Sequence, residues 1–329
     1  MVFAVQVMIY HTFIHLNNGI LPNYLTFINF IPGVPAFFFV SGFLIYASFI
    51  KTSNIRIYAK NRFFRLFPGL FFVTCGGLFV LLFSEWDNLT INDIPTYITW
   101  FLAQISIGQV YNPSLFNNVG IGVINGALWT ITVEILFYMF VPIIFLIERK
   151  FKYFIYLLFC LSFFLYSFGG SYFENYYFFG KNLFRYLEFT PLVWGWMFCL
   201  GIICYKNIEL INKYIKYFYL AIIPMIALIN LSIPESVFFT PFTNRLGLFY
   251  FLPLILLILY LSFATPVIKL NFDLSYGVYI WHLVVINFLL ELNINSIFIA
   301  CLLVILISLF SWYLIEKPFL NKKQISIRR

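Results

Sequence analysis

Long apolar stretches recur along almost the whole chain of 329 residues, and short polar connections separate them. A helix needs about 20 mainly apolar residues to cross the roughly 30 Å hydrocarbon core of a bilayer. The pattern therefore predicts an all-α integral membrane protein, a bundle of about ten transmembrane helices. The predicted segments are 1–16, 33–50, 64–84, 126–147, 152–168, 184–204, 217–233, 246–264, 274–290 and 296–315.

A further apolar stretch, 96–110, is followed by a polar loop at 111–118. If it crossed the bilayer completely, the later segments would be inverted, and the basic residues at 149–152 and at the C-terminus would lie outside. We therefore predict that 96–110 is a re-entrant or interfacial segment. Irregular backbone at membrane depth is tolerated only where protein or a water-filled cavity surrounds it, so this segment is a candidate wall of a substrate cavity.

The positions of Lys and Arg predict the orientation. With the N-terminus inside and ten alternating crossings, 17 of the 20 basic residues lie on the inner side of the membrane and three on the outer side. Cytoplasmic loops carry an excess of basic residues, so we expect a multi-pass protein with both termini in the cytoplasm. The abundance of Phe, Tyr, Ile, Asn and Lys is typical of an AT-rich genome and favours a bacterial cytoplasmic membrane.

Composition supports one membrane domain and excludes several other classes. Hydrophobic residues make up 63% of the chain and charged residues 10%, whereas a soluble domain has about 25% charged residues. No polar stretch is long enough to fold alone, so residues 1–329 are predicted to form a single domain. The net charge of +8 is explained by cytoplasmic loops and does not indicate a nucleic-acid partner. The five cysteines match no metal-binding spacing, and no metal site is predicted.

A few polar residues interrupt the apolar segments, where an ionisable side chain costs a few kcal/mol or more. His11 and His15 lie on the first segment, Glu134 on the fourth and His282 on the ninth. With a rise of about 1.5 Å per residue, His11, Glu134, His282 and Ser41 are placed in one layer near the midplane. A carboxylate and an imidazole at one depth can pair. The alternatives are structural hydrogen bonds for His282 and a structural pairing role for Glu134.

Arg62 and Arg65 lie at the cytoplasmic entrance of the third segment. Residues three apart project from one side of a helix, and guanidinium groups bind phosphate bidentately. The pair is therefore a candidate site for a phosphorylated ligand. The alternative is that both residues are ordinary basic anchors, as most juxtamembrane arginines are.

Several of these residues belong to short motifs that follow one another along the chain. The motifs are an early histidine on an apolar helix (His11), Phe37 to Gly42 with Ser41, Arg62 to Arg65 followed by Pro68, Leu128–Trp129 with Glu134, Ser275 to His282, and Glu316 to Phe319. In content and order they resemble the membrane acyltransferase 3 family, bacterial integral-membrane O-acyltransferases that modify surface glycans. The resemblance covers nearly the whole chain.

The resemblance implies transfer of an acyl group, usually acetyl, from acyl-CoA to a sugar hydroxyl of a cell-surface glycan or its lipid-linked precursor. His11 would be the general base and Glu134 would orient it or stabilise its charged form, while Arg62 and Arg65 would hold the CoA phosphates. Supporting roles are implied for Ser41, Ser275 and His282. The implied partners are acyl-CoA as donor substrate, the glycan or lipid-linked sugar, and membrane lipid; no permanently bound cofactor is expected.

One position departs from the family pattern. The family carries an arginine eleven residues before the early histidine, which would fall upstream of Met1, so we expect a truncated first helix. A multi-pass glycan or small-molecule transporter is the alternative of a different class, since transporters also carry polar groups near the midplane. The absence of visible inverted repeats and the basic pair at the cytoplasmic side favour an enzyme that uses acyl-CoA.

Overall fold

The computed structural model describes residues 1–52, 54–178, 180–230, 238–241, 244–266 and 272–327, with the side chains of 323–327 excepted. Helices dominate these ranges. They are α1 (Val2–Leu16), α2 (Gly33–Thr52), α3 (Ile55–Ser84), α4 (Ile94–Gln104), α5 (Trp129–Glu148), α6 (Phe154–Tyr172), α7 (Leu183–Leu187), α8 (Pro191–Lys206), α9 (Ile208–Tyr214), α10 (Ile222–Asn230), α11 (Leu248–Phe263), α12 (Ser275–Glu291), α13 (Ile297–Ser311) and α14 (Lys317–Ile327). A short antiparallel hairpin pairs β1 (Tyr177–Phe178) with β2 (Lys181–Asn182).

Seven helical stretches within the described ranges are long and apolar enough to cross a membrane, which supports the predicted multi-pass membrane protein. They are Asn23–Thr52, Ile55–Ser84, Gly126–Glu148, Phe154–Tyr172, Leu183–Lys206, Ile208–Asn230 and Ile297–Lys322. Three apolar helices, α1, α11 and α12, are shorter, with 15, 16 and 17 residues. Because these fall below the length of about 20 residues that a crossing needs, the total of about ten crossings stays a prediction.

The stretch 96–110 begins inside helix α4 and continues into turns. A capping box between Thr90 and Asp93 precedes the helix, and its hydrogen bonds hold the pKa of Asp93 below the ordinary value. One face of α4 is buried through Tyr97, Trp100 and Gln104, and the opposite face is exposed. Such a two-sided helix suits an interface, and the re-entrant or interfacial role stays a prediction.

The chain divides into two compact units, and the assignment of residues 1–329 to a single domain stays a prediction. The first unit comprises Met1–Asn23, Thr52–Tyr138 and Phe272–Arg329. In it α1 packs against α12 and α13, and α3 packs against α4, α12 and α14. This unit contains every predicted site residue except one: His11, Arg62, Arg65, Glu134, Ser275 and His282.

Within the first unit, the long connection between α4 and α5 is fastened to α12. The Glu291 carboxylate accepts hydrogen bonds from the Gly120 amide, at 2.7 Å, and from the Ser84 hydroxyl. The Asn287 side chain accepts one from the Ile121 amide at 2.7 Å. Gly120 has a φ of 54°, and a Cβ there would lie 1.9 Å from Asn287 Oδ1. The connection is therefore fixed on the helix that carries His282.

The second unit comprises Tyr24–Lys51 and Met139–Asn271. Here α2 crosses α8 at two glycines, Gly42 and Gly201. A Cβ on Gly42 would lie 2.1 Å from the Phe198 carbonyl oxygen, and one on Gly201 would lie 2.2 Å from that of Phe39. Small residues let helix backbones approach closely within a membrane. The glycine of the motif that also contains Ser41 is therefore a packing residue.

Replacing Gly42 by alanine is expected to lower the free energy of unfolding by about 1–3 kcal/mol, the usual cost of overpacking a close contact. Gly170→Ala in α6 is the matched control, because a Cβ there meets only the Phe184 ring at 3.8 Å. The midpoint of thermal unfolding in detergent measures both. Equal midpoints for the two variants would show that the α2–α8 contact does not need a glycine.

Candidate active site

A pair of histidines joins α1 to α12 in the first unit. His11 Nδ1 lies 2.8 Å from His282 Nε2, and the two rings are stacked with their centroids 5.0 Å apart and their planes inclined by 24°. His282 is fully buried, whereas His11 is only partly buried. The structure thus brings together two of the predicted site residues, and His11 is the more exposed of the pair.

The motif from Ser275 to His282 explains how α12 is held in place. The Tyr276 hydroxyl donates to the Leu66 carbonyl oxygen of α3 at 2.8 Å. The Tyr279 hydroxyl lies 2.6 Å from the Thr130 hydroxyl at the start of α5. One turn of α12 therefore fastens the helices that carry the arginines and Glu134. The histidine follows on the same helix, which is apolar and buried on nearly every face.

Glu134 lies one turn before a tyrosine on α5, and the two side chains are in contact. The Tyr138 hydroxyl donates a hydrogen bond to Glu134 Oε1. His11 is hydrogen-bonded to His282. The contact between His11 and Glu134 that their similar depth suggested stays a prediction. Tyr138 belongs to the motif that contains Glu134, but no role was predicted for it, although residues four apart on a helix lie side by side.

Arg62 lies against the ring of the same tyrosine, Tyr138. Its guanidinium lies 5.3 Å from the Tyr138 ring centre and 5.7 Å from that of Tyr58, within the range of cation–π attraction. The Tyr58 hydroxyl in turn donates to the Tyr138 carbonyl oxygen. In the described part of the chain no carboxylate forms an ion pair with Arg62, and its Nε is buried without a hydrogen-bond partner. The charge of Arg62 is therefore not compensated by an ion pair within the described part of the chain.

Arg65 differs from Arg62 because it has a carboxylate partner. Its Nη2 lies 3.0 Å from Asp273 Oδ2, just before α12. The other oxygen of Asp273 accepts hydrogen bonds from the Ser275 hydroxyl and amide. Burial raises the pKa of Asp273, but Arg65 and Ser275 outweigh it and hold this pKa below the ordinary aspartate value. Asp273 is thus ionised at neutral pH and neutralises Arg65.

Asp273 was missed because it lies in a connection rather than in an apolar segment. The signal that could have identified it is its position two residues before Ser275, since an Asp side chain at a helix start accepts hydrogen bonds from the first backbone amides. The structure gives Ser275 a definite part in this arrangement, as a donor to Asp273. Its predicted supporting role in catalysis stays a prediction.

Glu316 is a further buried carboxylate of the first unit. It ends a π-helical turn, Trp312–Glu316, between α13 and α14. Its Oε1 accepts a hydrogen bond from Ser311 at 2.9 Å, and its Oε2 is buried without a hydrogen-bond partner. Such π-turns are frequent at functional sites. The glutamate of the last motif therefore belongs to the interior of the first unit.

Two other residues complete the set that the sequence singled out. His15 lies one turn beyond His11 on α1, with the ring centroids 5.9 Å apart. Ser41 lies on α2 in the second unit. Its predicted supporting role stays a prediction.

Two of the following comparisons with known proteins name an acyltransferase. A family model described as "Acyltransferase domain" matches residues 1–316. "Nodulation protein 10" of Rhizobium leguminosarum bv. viciae is 25% identical over 325 residues, which cover 91% of this chain and 84% of that protein. The "O-acetyl transferase" of Shigella phage Sf6 is 27% identical over 303 residues, which cover 87% and 84%. No solved structure matches the chain.

Proposed function

Because the chain belongs to the membrane acyltransferase 3 family, we propose that it moves an acetyl group from acetyl-CoA to a hydroxyl of a cell-surface glycan or of its lipid-linked precursor. The observation that carries the proposal is the partly buried His11 with its 2.8 Å hydrogen bond to His282. The relative from Shigella phage Sf6 bears the name of an O-acetyl transferase. No comparison favours the transporter alternative.

His11 acts on the acceptor in this proposal. An unperturbed histidine has a pKa near working pH, and its neutral imidazole serves as a general base for a hydroxyl. As His11 takes the proton, the hydroxyl oxygen attacks the thioester carbonyl carbon, an O–C bond forms and the C–S bond breaks. Coenzyme A leaves as a thiolate and receives the proton from the imidazolium. A route through acyl-His11 would use the same imidazole as the nucleophile.

Arg62 is the main contact for the donor. Coenzyme A carries several phosphates, and a guanidinium without a carboxylate partner forms strong charge-assisted hydrogen bonds with them. Arg65 is neutralised by Asp273, so in this proposal it chiefly fixes the start of α12 and adds a weaker attraction for phosphate. The sequence analysis assigned phosphate binding to both arginines, whereas this proposal assigns it mainly to Arg62.

Glu134 connects the two parts of the site through Tyr138. Its hydrogen bond orients the phenol ring that lies against Arg62. A carboxylate in the first unit also favours a developing imidazolium on His11. We therefore keep Glu134 in the catalytic set proposed from the sequence, as a residue that stabilises charge rather than one that contacts the substrate.

The orientation of the protein is part of the proposal, because coenzyme A is cytosolic. A cysteine at Lys322, in a cysteine-free background, is expected to react with a membrane-impermeant maleimide only after the cells are permeabilised. A cysteine at Asp87, in the connection before α4, is expected to react in intact cells. Labelling of the Lys322 position in intact cells would place the C-terminal helix outside and overturn the orientation.

Turnover of acetyl-CoA distinguishes the enzyme from a transporter. Purified protein in nanodiscs is given acetyl-CoA, with a carbohydrate acceptor or without one, and the release of free thiol is followed. The proposal predicts thiol release above that of empty nanodiscs, and His11→Ala removes the excess. A rate equal to that of empty nanodiscs with every acceptor tested would favour transport.

A further inference from the structure

Each neutral imidazole carries a single N–H, so either His11 or His282 can be the donor of the hydrogen bond between them. We propose that His282 is a positioning residue that fixes the tautomer of His11, so that His11 holds its proton on Nδ1 and presents an unprotonated Nε2 to the acceptor hydroxyl. The inference rests on the proposed role of His11 as general base. It adds a function for the buried histidine, which does not itself contact substrate.

Two arrangements of the pair are chemically possible. In the first, His11 Nδ1–H donates to His282 Nε2, and His11 Nε2 keeps its lone pair. In the second, His282 Nε2–H donates to His11 Nδ1, and His11 Nε2 carries a proton. A general base needs the lone pair, so only the first arrangement activates a hydroxyl. The choice between them is decided by the surroundings of the other nitrogen of His282.

That nitrogen, Nδ1 of His282, is buried and has no hydrogen-bond partner among the described residues. Val278 and Tyr279 precede His282 on α12 by four and three residues, and helix carbonyl groups point towards the following turn, here the one that contains His282. The groups exposed by a turn of helix towards such a side chain are carbonyl oxygens, which attract an N–H and repel a lone pair. Nδ1 of His282 therefore carries the proton, its Nε2 is the acceptor, and the first arrangement holds.

A histidine suits the orientation of His11 better than a carboxylate does, because the pair lies in an apolar environment. A carboxylate orients the base in many hydrolases, but inside a bilayer an unpaired charge costs a few kcal/mol or more. Neutral His282 accepts the hydrogen bond without adding a charge. When His11 takes up the proton at Nε2, its Nδ1–H still donates to His282, so the hydrogen bond persists through the reaction.

The direct test is the tautomer of His11, measured without reference to activity. The chain has three histidines, so protein labelled with ¹⁵N-histidine and held in nanodiscs gives a resolvable spectrum, which the His15→Gln and His282→Leu variants assign. We expect His11 of the wild type to be protonated on Nδ1 alone. In His282→Leu we expect a mixture of the two tautomers. Protonation of wild-type His11 on Nε2, or an unchanged tautomer in His282→Leu, would overturn the inference.

A kinetic comparison separates positioning from folding. His282→Leu is expected to lower kcat by about tenfold to a hundredfold, as loss of an orienting partner does, with little change in the KM for acetyl-CoA. In His282→Gln the amide oxygen can accept the same hydrogen bond, so most of the lost rate should return. Failure of His282→Gln to recover rate would count against the inference. Full activity in His11→Ala would instead reject the proposed base while leaving the tautomer measurement valid.

Discussion

Replacement of His11 by alanine is expected to abolish acetyl transfer, whereas His15→Ala retains much of it. A positioned general base contributes about 10²–10⁴-fold to the rate, and His11 is the partly buried member of the histidine pair. His15 is a matched control on the same helix, one turn away, with its ring centroid 5.9 Å from that of His11. Initial rates of thiol release and of acetylated product measure both variants under saturating acetyl-CoA.

Binding of acetyl-CoA shows whether the His11 variant is folded. The proposed phosphate contact, Arg62, lies on α3 rather than on α1, so the dissociation constant measured by calorimetry should stay close to that of the wild type. The assignment of the base would be contradicted by near-normal transfer in His11→Ala together with complete loss in His282→Ala. That result would place the base on α12, despite the full burial of His282.

Arg62→Gln is expected to raise the KM for acetyl-CoA by about tenfold to a hundredfold, with a smaller effect on kcat. A hydrogen bond to a charged group contributes about 1.5–3 kcal/mol, and the phosphates of coenzyme A are remote from the reacting thioester. An interaction that holds substrate and transition state equally affects KM rather than kcat. Arg56→Gln is the matched control, because Arg56 is an exposed basic residue in the first turn of the same helix.

Two further variants sharpen the comparison of the arginines. Arg65→Gln leaves the Asp273 carboxylate without its ion-pair partner, so it should lower thermal stability more than it raises KM. Combining it with Asp273→Asn should recover part of that stability, as expected for residues that act as a pair. If Arg62→Gln and Arg56→Gln gave the same KM as the wild type, Arg62 would be an ordinary membrane anchor.

Counting residues along the predicted helices estimates which side chains share a level, but it does not give the rotation about the helix axes. Counting residues placed His11 and His282 in one layer, and in the structure their side chains are hydrogen-bonded to each other. The same count placed Glu134 in that layer and suggested a contact with His11. Whether side chains at one depth face each other depends on how each helix is turned, which packing between distant segments decides. Tyr138, four residues from Glu134, was within reach of the sequence argument.

Contacts made by residues in the connections, or by backbone atoms at glycines, could not be predicted from the sequence. Asp273 lies outside the apolar segments, so its ion pair with Arg65 carried no signal of burial. Gly42 and Gly201 are far apart in the chain, and only their close approach shows why a side chain is excluded there. The apolar character of α4 was visible, but its course relative to a bilayer depends on lipid as well as on protein.

The most direct measurement of the central claim is the acetyl content of the surface glycan, determined by mass spectrometry. Cells that carry the gene, cells from which it is deleted, and deleted cells that express either the wild type or His11→Ala are compared. The account predicts O-acetylated glycan in the first strain and in the strain complemented with the wild type, and its loss in the other two. O-acetylation that is unchanged by deletion, or fully restored by His11→Ala, would contradict it.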